Sequence, residues 1–184
     1  CQKHNLRLIL DAAHMAGTMV KFDNTHRHVG HEADVTVFSF QAVKNLPTAD
    51  AGMICFRDSK YDKLCREYSW LGINKDTFSR INKSGKYSWK YDVPNLGYKY
   101  HGNSIMASIG LVQLKYLDSD NDKRNELCHL YESRLKELDY LNIIQNSSYC
   151  YKSSRHLFQV SVNDNDSITR EKVMDFLNSE NIFP

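Results

Sequence analysis

Proline and glycine are scarce in this 184-residue chain, at three and eight residues. That scarcity excludes collagen-like and Pro/Gly-rich low-complexity architectures. No apolar run approaches the ~20 residues that a bilayer-spanning helix needs. The longest uncharged stretch, Tyr100–Leu114, is interrupted by His, Gly, Asn, Ser and Gln. A strong charge of either sign is also missing, since 24 Lys+Arg stand against 22 Asp+Glu for a net charge of +2. Such a balance supplies no field with which to hold nucleic acid or an acidic lipid surface, so neither nucleic acid nor a membrane is expected as partner. The five cysteines (Cys1, Cys55, Cys65, Cys128 and Cys150) form no C-x-x-C pair. Their odd number suits the reducing cytoplasm better than a disulfide framework. No G-x-G-x-x-G is present, which removes support for a Rossmann dinucleotide site.

What is present is an ordinary globular composition, 41% hydrophobic and 25% charged. The chain opens on Cys1 without a signal-peptide pattern and stops at Asn181-Ile-Phe-Pro184 without a recognisable tail, so a piece of something longer is expected. Leu6–Asp11, Val35–Ser39 and Gly52–Phe56 read as buried strands, short, apolar and β-branched or aromatic, with Cys1–Asn5 as the tail of a preceding helix. Asp58–Trp70 has helical composition, and Gly72–Asn95 reads as an extended irregular connection. Asn103 is suited to cap a helix with the stripe Ile105, Met106, Ile109, Val112 and Tyr116. Asp118 opens another with Leu127, Tyr131, Leu135 and Leu138 at helical spacing. A polar segment at Asp139–Lys152, a strand at His156–Val162 and a last helix from Asp166 or Ser167, with Val173, Phe176 and Leu177 inward, complete the pattern. Early strands, middle helices and a closing strand–helix unit predict an α/β domain followed by part of a smaller one, divided within about residues 115–140.

Ligands of open α/β sheets sit outside the C-terminal ends of the parallel strands. Asp11 and Ser39 occupy such predicted ends, and Lys44 follows Ser39 by five residues on a turn. A lysine can bond an aldehyde cofactor covalently, and a carboxylate can keep a pyridine nitrogen protonated. A hydroxyl beside strand-end N–H groups suits a phosphate. These are the three handles of pyridoxal phosphate (PLP). Residue types and spacing alone leave open a plain reading in which Asp11 caps a turn, Ser39 belongs to a strand and Lys44 is solvated.

The local words carry more. Asp11-Ala-Ala-His14-Met-Ala-Gly17, Val29-Gly30, Asp34-Val-Thr-Val-Phe-Ser39-Phe40 and Lys44-Asn-Leu-Pro-Thr48, with Gly52 closing, resemble the nucleotide-sugar aminotransferases of the DegT/StrS type. The resemblance resumes at Gly97-Tyr-Lys-Tyr100, Ala107-Ser-Ile-Gly-Leu-Val-Gln-Leu114 and Ser154-Arg-His-Leu-Phe158, so that it spans nearly the whole chain in the family's order. It implies the PLP-dependent transferase fold of the aspartate-aminotransferase type I class. Residues 1–117 would be part of the large PLP-binding domain, 118–138 a connecting helix and 139–184 the start of the small C-terminal α/β domain.

The implied activity moves an amino group from an amino acid, glutamate by expectation, to a nucleotide-linked keto-deoxysugar in aminosugar and polysaccharide biosynthesis, within a homodimer. By resemblance, Lys44 is the catalytic lysine that holds PLP and moves the substrate proton, and Asp11 partners the pyridine nitrogen. His14 lies close to the cofactor ring, Ser39 binds the phosphate, and Lys99 reaches the phosphate of the neighbouring subunit. His156 falls in the substrate site. The related sugar dehydratases carry His where Lys44 stands, which argues against them.

Several positions depart from the family pattern. Pro47-Thr-Ala49-Asp50-Ala51-Gly52 replaces the commoner Thr-Thr-Gly-Glu-Gly-Gly, and losing two glycines restricts φ in that turn. Lys99, Gly102 and Ser104 stand where Asn, Met and Asp are commoner. The family's early phosphate-binding segment and its later His-bearing motif have no counterpart here. A competing expectation is therefore a non-catalytic remnant that binds PLP weakly or serves only as an interaction module. His26, His28 and His31 spell H-x-H-x-x-H, but without nearby Cys they read as a polar loop rather than a metal site. The Lys83–His101 run mixes bases and aromatics and reads as interface and loop, and Cys55 reads as packing rather than nucleophile.

Overall fold

A computed structural model describes residues 1–74, 90–144, 150–165 and 167–184. Most of the expected Gly72–Asn95 connection, part of the Lys83–His101 run and Asp166 lie outside the described residues. The chain divides into two compact units, residues 1–13 with 30–113 and residues 14–29 with 114–184.

The first unit is built on a three-stranded sheet. Strand β1 (Ile9–Asp11) runs parallel to β4 (Val35–Ser39), and β4 pairs antiparallel with β5 (Gly52–Phe56), so that β4 is central. A parallel pair has no hairpin turn to set its register. Asp34 supplies that function, because its Oδ2 accepts from the Leu8 N–H at 2.8 Å while the N–H of Asp34 and of Val35 donate to the Leu8 carbonyl. The Leu8 amide, and the nearby Arg7 and Arg57 cations, hold the Asp34 carboxyl below the usual carboxylate range. Arg57 returns the support by donating to the carbonyls of Ala33 and His31.

Helix α1 (Ser59–Ser69) follows, with Asp58 accepting from the Lys60 N–H at 2.9 Å as its N-cap. Helix α2 (Ser104–Gln113) begins where Asn103 Oδ1 accepts from the Met106 N–H at 3.0 Å, as its position in the sequence predicts. The buried residues of this unit include Ala12, Ala33, Leu46 and Ile73, with the polar Thr36, Asn45 and Thr48.

The second unit contains a hairpin of β2 (Met19–Phe22) and β3 (Thr25–His28), with β7 (Cys150–Lys152) on the other edge of β2. Helix α3 (Leu117–Leu135) is followed by an antiparallel pair, β6 (Leu141–Ile143) with β8 (Val160–Val162), and α4 (Arg170–Ser179) closes the chain. Thr169 Oγ1 caps α4 by accepting from the Lys172 N–H. Among the described residues no helix is long and apolar enough to cross a membrane.

Several expectations are corrected here. The strands are not buried on both faces: Ile9, Val37, Met53 and Ile54 are exposed, because a three-stranded sheet leaves much of its surface open. Cys55 is exposed as well, so it does not pack a core. Of the anticipated stripe, Ile105 (75% exposed), Ile109 and Val112 on α2 and Tyr116 beyond its end are exposed, and Met106 is half-buried, as is Gly110. That helix is apolar nearly all round, so periodicity could not choose a face. On α3 the buried side is Leu117, Asn121 and Cys128, and Leu127 and Tyr131 point outward.

On α4 Phe176 is 63% exposed, and Val173 and Leu177 are half-buried. That helix begins at Arg170, not Ser167. The strand expected over His156–Val162 is confined to its last three residues. Gln2–His4 form a single 3-10 turn rather than the tail of an α-helix.

Candidate functional site

β1 and β4 end at the same edge of their sheet, with Asp11 directly opposite Val37. Side chains alternate along a strand, so Asp11, Val37 and Ser39 share one face. Asp11 terminates β1 through its own carboxylate, whose Oδ1 accepts from the Ala13 N–H at 3.0 Å. This Asx-type turn leads the chain out of the sheet and keeps the carboxylate a hydrogen-bond acceptor. Ser39 closes β4 opposite Gly52.

The β4–β5 connection carries Lys44. The Phe40 N–H donates to the Ala51 carbonyl at 2.7 Å, the Thr48 N–H to Phe40 at 2.8 Å, and the Lys44 N–H to Gln41 at 2.9 Å. The connection is thus a closed loop rather than a loose excursion. Helix α2 comes down on it at Gly110, where a Cβ would lie 2.9 Å from Thr48 Cγ2. Gly110 therefore permits a helix to support the turn that bears the lysine, a role the sequence alone did not reveal.

The loop also carries a conformational cost. Ala49 has φ +78°, the left-handed region that favours glycine, and it stands where the family pattern has its first glycine. Ala49→Gly is expected to raise stability by about 1 kcal/mol, readable as a higher thermal midpoint. An unchanged or lower midpoint would show that the loop bears no strain there.

Lys99 lies at the C-terminal end of α1, with Nζ 3.6 Å from the Trp70 ring centroid, and Trp70 meets His101 edge-on at 4.1 Å. His14 and His156 belong to the second unit, where their rings meet edge-on with centroids 4.9 Å apart. The structure thus brings Asp11, Ser39 and Lys44 to one end of one sheet and pairs His14 with His156.

Within the former H-x-H-x-x-H motif, His26 and His28 lie on β3. His28 Nε2 accepts from the Gly17 N–H and its Nδ1 lies 3.0 Å from the Val29 carbonyl, so both ring nitrogens serve the backbone. Among the described residues no group of three or more His, Cys, Asp or Glu is placed to hold a metal ion.

A cleft of about 250 Å³ opens at the opposite end of the sheet, between Arg7, Ile9, Asp34, Val35, Phe56 and Tyr61. Its polar lining also includes Arg57 and Asp58, and Asp34 and Asp58 already serve the β1–β4 pairing and the α1 cap. Burial pushes the Cys128 thiol up, and partial desolvation with the nearby Asp62 carboxylate pushes up that of the exposed Cys55, which disfavours the thiolate at both.

A carboxylate, a hydroxyl and a primary amine at the ends of adjacent strands are the donor set for a ligand with a pyridine nitrogen, a phosphate and an aldehyde. The chain provides each in a distinct position, and PLP fits this set.

Comparison with known proteins agrees with that chemistry. The chain is 31% identical over 183 residues to the spore coat polysaccharide biosynthesis protein SpsC of Bacillus subtilis, covering 97% of this chain and 44% of the relative. It is 31% identical over 159 residues to a UDP-4-amino-4,6-dideoxy-N-acetyl-beta-L-altrosamine transaminase of Campylobacter jejuni, covering 86% of this chain and 38% of that enzyme. The PLP form of Spr1654 from Streptococcus pneumoniae superposes with a TM-score of 0.78 at 28% identity, over 95% of this chain and 42% of that one. The chain therefore spans less than half the length of these proteins. It has the PLP-dependent transferase fold, and PLP is the cofactor of the relatives that share it. A model of the DegT/DnrJ/EryC1/StrS aminotransferase family matches residues 1–183, and the chain belongs to that family.

Proposed function

We propose that this chain carries the cofactor-holding part of a PLP-dependent aminotransferase that moves an amino group from glutamate to a nucleotide-linked keto-deoxysugar, in aminosugar and polysaccharide biosynthesis. The observation that carries this reading is the placing of Asp11 and Ser39 at one end of adjacent parallel strands, with Lys44 on the closed loop that follows. PLP, when bound, supplies an electron sink for the substrate carbon next to nitrogen.

The rest of the reaction falls to side chains. Lys44 Nζ would hold the cofactor aldehyde and, when free, would take a proton from the donor Cα as general base and return one as general acid. Asp11 would accept from the pyridine nitrogen and favour its protonated form. Ser39 Oγ would donate to the phosphate. His14 would serve the cofactor, His156 the substrate, and Lys99 would offer its charge to the phosphate held by a second copy in a homodimer. In the same reading, residues 1–117 belong to the large domain, 118–138 to a connecting helix and 139–184 to the small domain, and the enzyme works in the cytoplasm.

The test is an absorbance titration of the purified chain with PLP, followed by glutamate. A visible band that saturates with PLP and is then bleached by glutamate is the expected result. A band that forms but resists every amino acid offered would overturn amino transfer by this chain and favour the non-catalytic module.

A further inference from the structure

The three largest fully buried side chains among the described residues are all polar: Asn121, Thr18 and Ser154, each at most 2% exposed. A buried amide or hydroxyl costs free energy unless it is hydrogen-bonded, and these are bonded to one short segment, 14–18. Asn121 Nδ2 donates to the Ala16 carbonyl at 3.1 Å, and Ser154 Oγ donates to the His14 carbonyl at 2.9 Å. Thr18 Oγ1 accepts from the Ser154 N–H at 3.0 Å.

One turn along α3, Asn125 Nδ2 donates both to the Asn121 carbonyl and to the Ser153 carbonyl, each at 2.8 Å. Positions 121 and 125 lie on the same face of the helix. One face of α3 therefore grips two segments, and the two segments also grip each other. Gly17 makes the approach feasible: its φ is +79°, and a Cβ there would collide with Asn121 Nδ2.

We propose that Asn121, Thr18 and Ser154 are positioning residues for His14 and His156. Ser154 binds the carbonyl of His14 itself and lies two residues before His156, so the clamp sets the edge-on pairing of the two rings. An apolar face on α3 would bury as well but would not fix the azimuth of a loop, whereas a closed polar network has one satisfied geometry. That this geometry serves the cofactor ring and the substrate rests on the function proposed above; the clamp on the rings does not.

The test uses the full chain with isotope-labelled histidine. NMR should show a cross-peak between the His14 and His156 rings in the wild type. Thr18→Val removes the acceptor with little change of shape, and Ser154→Ala removes the hydroxyl. Both are expected to shift the His14 ring signals and abolish the cross-peak, while Thr18→Ser, which keeps the oxygen, retains the wild-type pattern. In the PLP-loaded chain the first two should weaken PLP binding by about fivefold or more. Wild-type ring signals in folded Thr18→Val or Ser154→Ala chain would overturn the proposal, and Ser154→Ala decides alone if Thr18→Val does not fold. Should PLP fail to bond Lys44, the ring signals of the unloaded chain still decide the clamp, so the two readings fail separately.

Discussion

Lys44→Ala is expected to abolish covalent capture of PLP by this chain. Borohydride reduces the carbon–nitrogen double bond between a lysine and the cofactor aldehyde, and peptide mapping then reports which lysine was bonded. In the native chain the label should concentrate on the peptide bearing Lys44. In Lys44→Ala the visible band and the label should both be lost, and any amino transfer should fall by about 10²–10⁴-fold, the usual worth of a general acid–base group. The substitution leaves the backbone of the loop intact, because the closing bonds from Phe40 to Ala51, Thr48 to Phe40 and position 44 to Gln41 are all main-chain. Loss of label in a chain with an unchanged thermal midpoint therefore reports chemistry, not unfolding. Label spread over surface lysines in the native chain would remove Lys44 from the role proposed for it.

The second large effect concerns a backbone crossing. Residues 98–101 are laid against the end of α1 by main-chain bonds: the Leu71 N–H donates to Tyr98, the Tyr98 N–H to Tyr68, and the N–H groups of Tyr100 and His101 to Ser69. At the tightest point Gly72, at φ +74°, has no room for a Cβ, which would fall on the Asn95 carbonyl; a Cβ on Gly97 would fall on the Gly72 amide. Neither obstacle is a flexible side chain, so the backbone itself would have to give.

Gly72→Ala combines that collision with a left-handed φ and is expected to cost about 3 kcal/mol or more. The thermal midpoint should drop by roughly 6–12 °C. The same change should release Lys99 from the Trp70 ring, which tryptophan fluorescence reads directly. A midpoint and spectrum close to wild type would show that the crossing is not needed. Gly97, which opens one of the words resembling the family, thus has a steric reason to be glycine.

How much of this was legible beforehand depended on whether the signal was local. Val35–Ser39 and Gly52–Phe56 form strands with those bounds, and Asp58 and Asn103 cap the helices that follow them, because β-branched runs and capping side chains act over a few residues. The ends that present Asp11 and Ser39 followed from the same runs. The β2–β3 hairpin was missed although Asp23-Asn24 forms a two-residue turn between Phe22 and Thr25, with Asp23 at φ +49°; its basic, His-bearing strands hid the alternation.

The inward faces of α2 and α3 were misjudged for a different reason. Hydrophobic periodicity assumes that apolar residues face the core, but α2 is apolar nearly all round, and α3 buries Asn121 against segment 14–18 while Leu127 stays outside.

The sequence by itself determined the family and the strands Val35–Ser39 and Gly52–Phe56 on either side of the loop that bears Lys44, because each is written in short local runs. Only the tertiary structure decided that Gly110 lets α2 support the lysine loop, that Gly72 and Gly97 exist for a backbone crossing, and that α3 holds the His14 segment with amides and hydroxyls. Those are contacts between residues far apart in the chain, such as Asn121 with Ala16 and Ser154 with His14, and no local pattern of hydrophobicity or propensity encodes which distant carbonyl a buried polar group will meet.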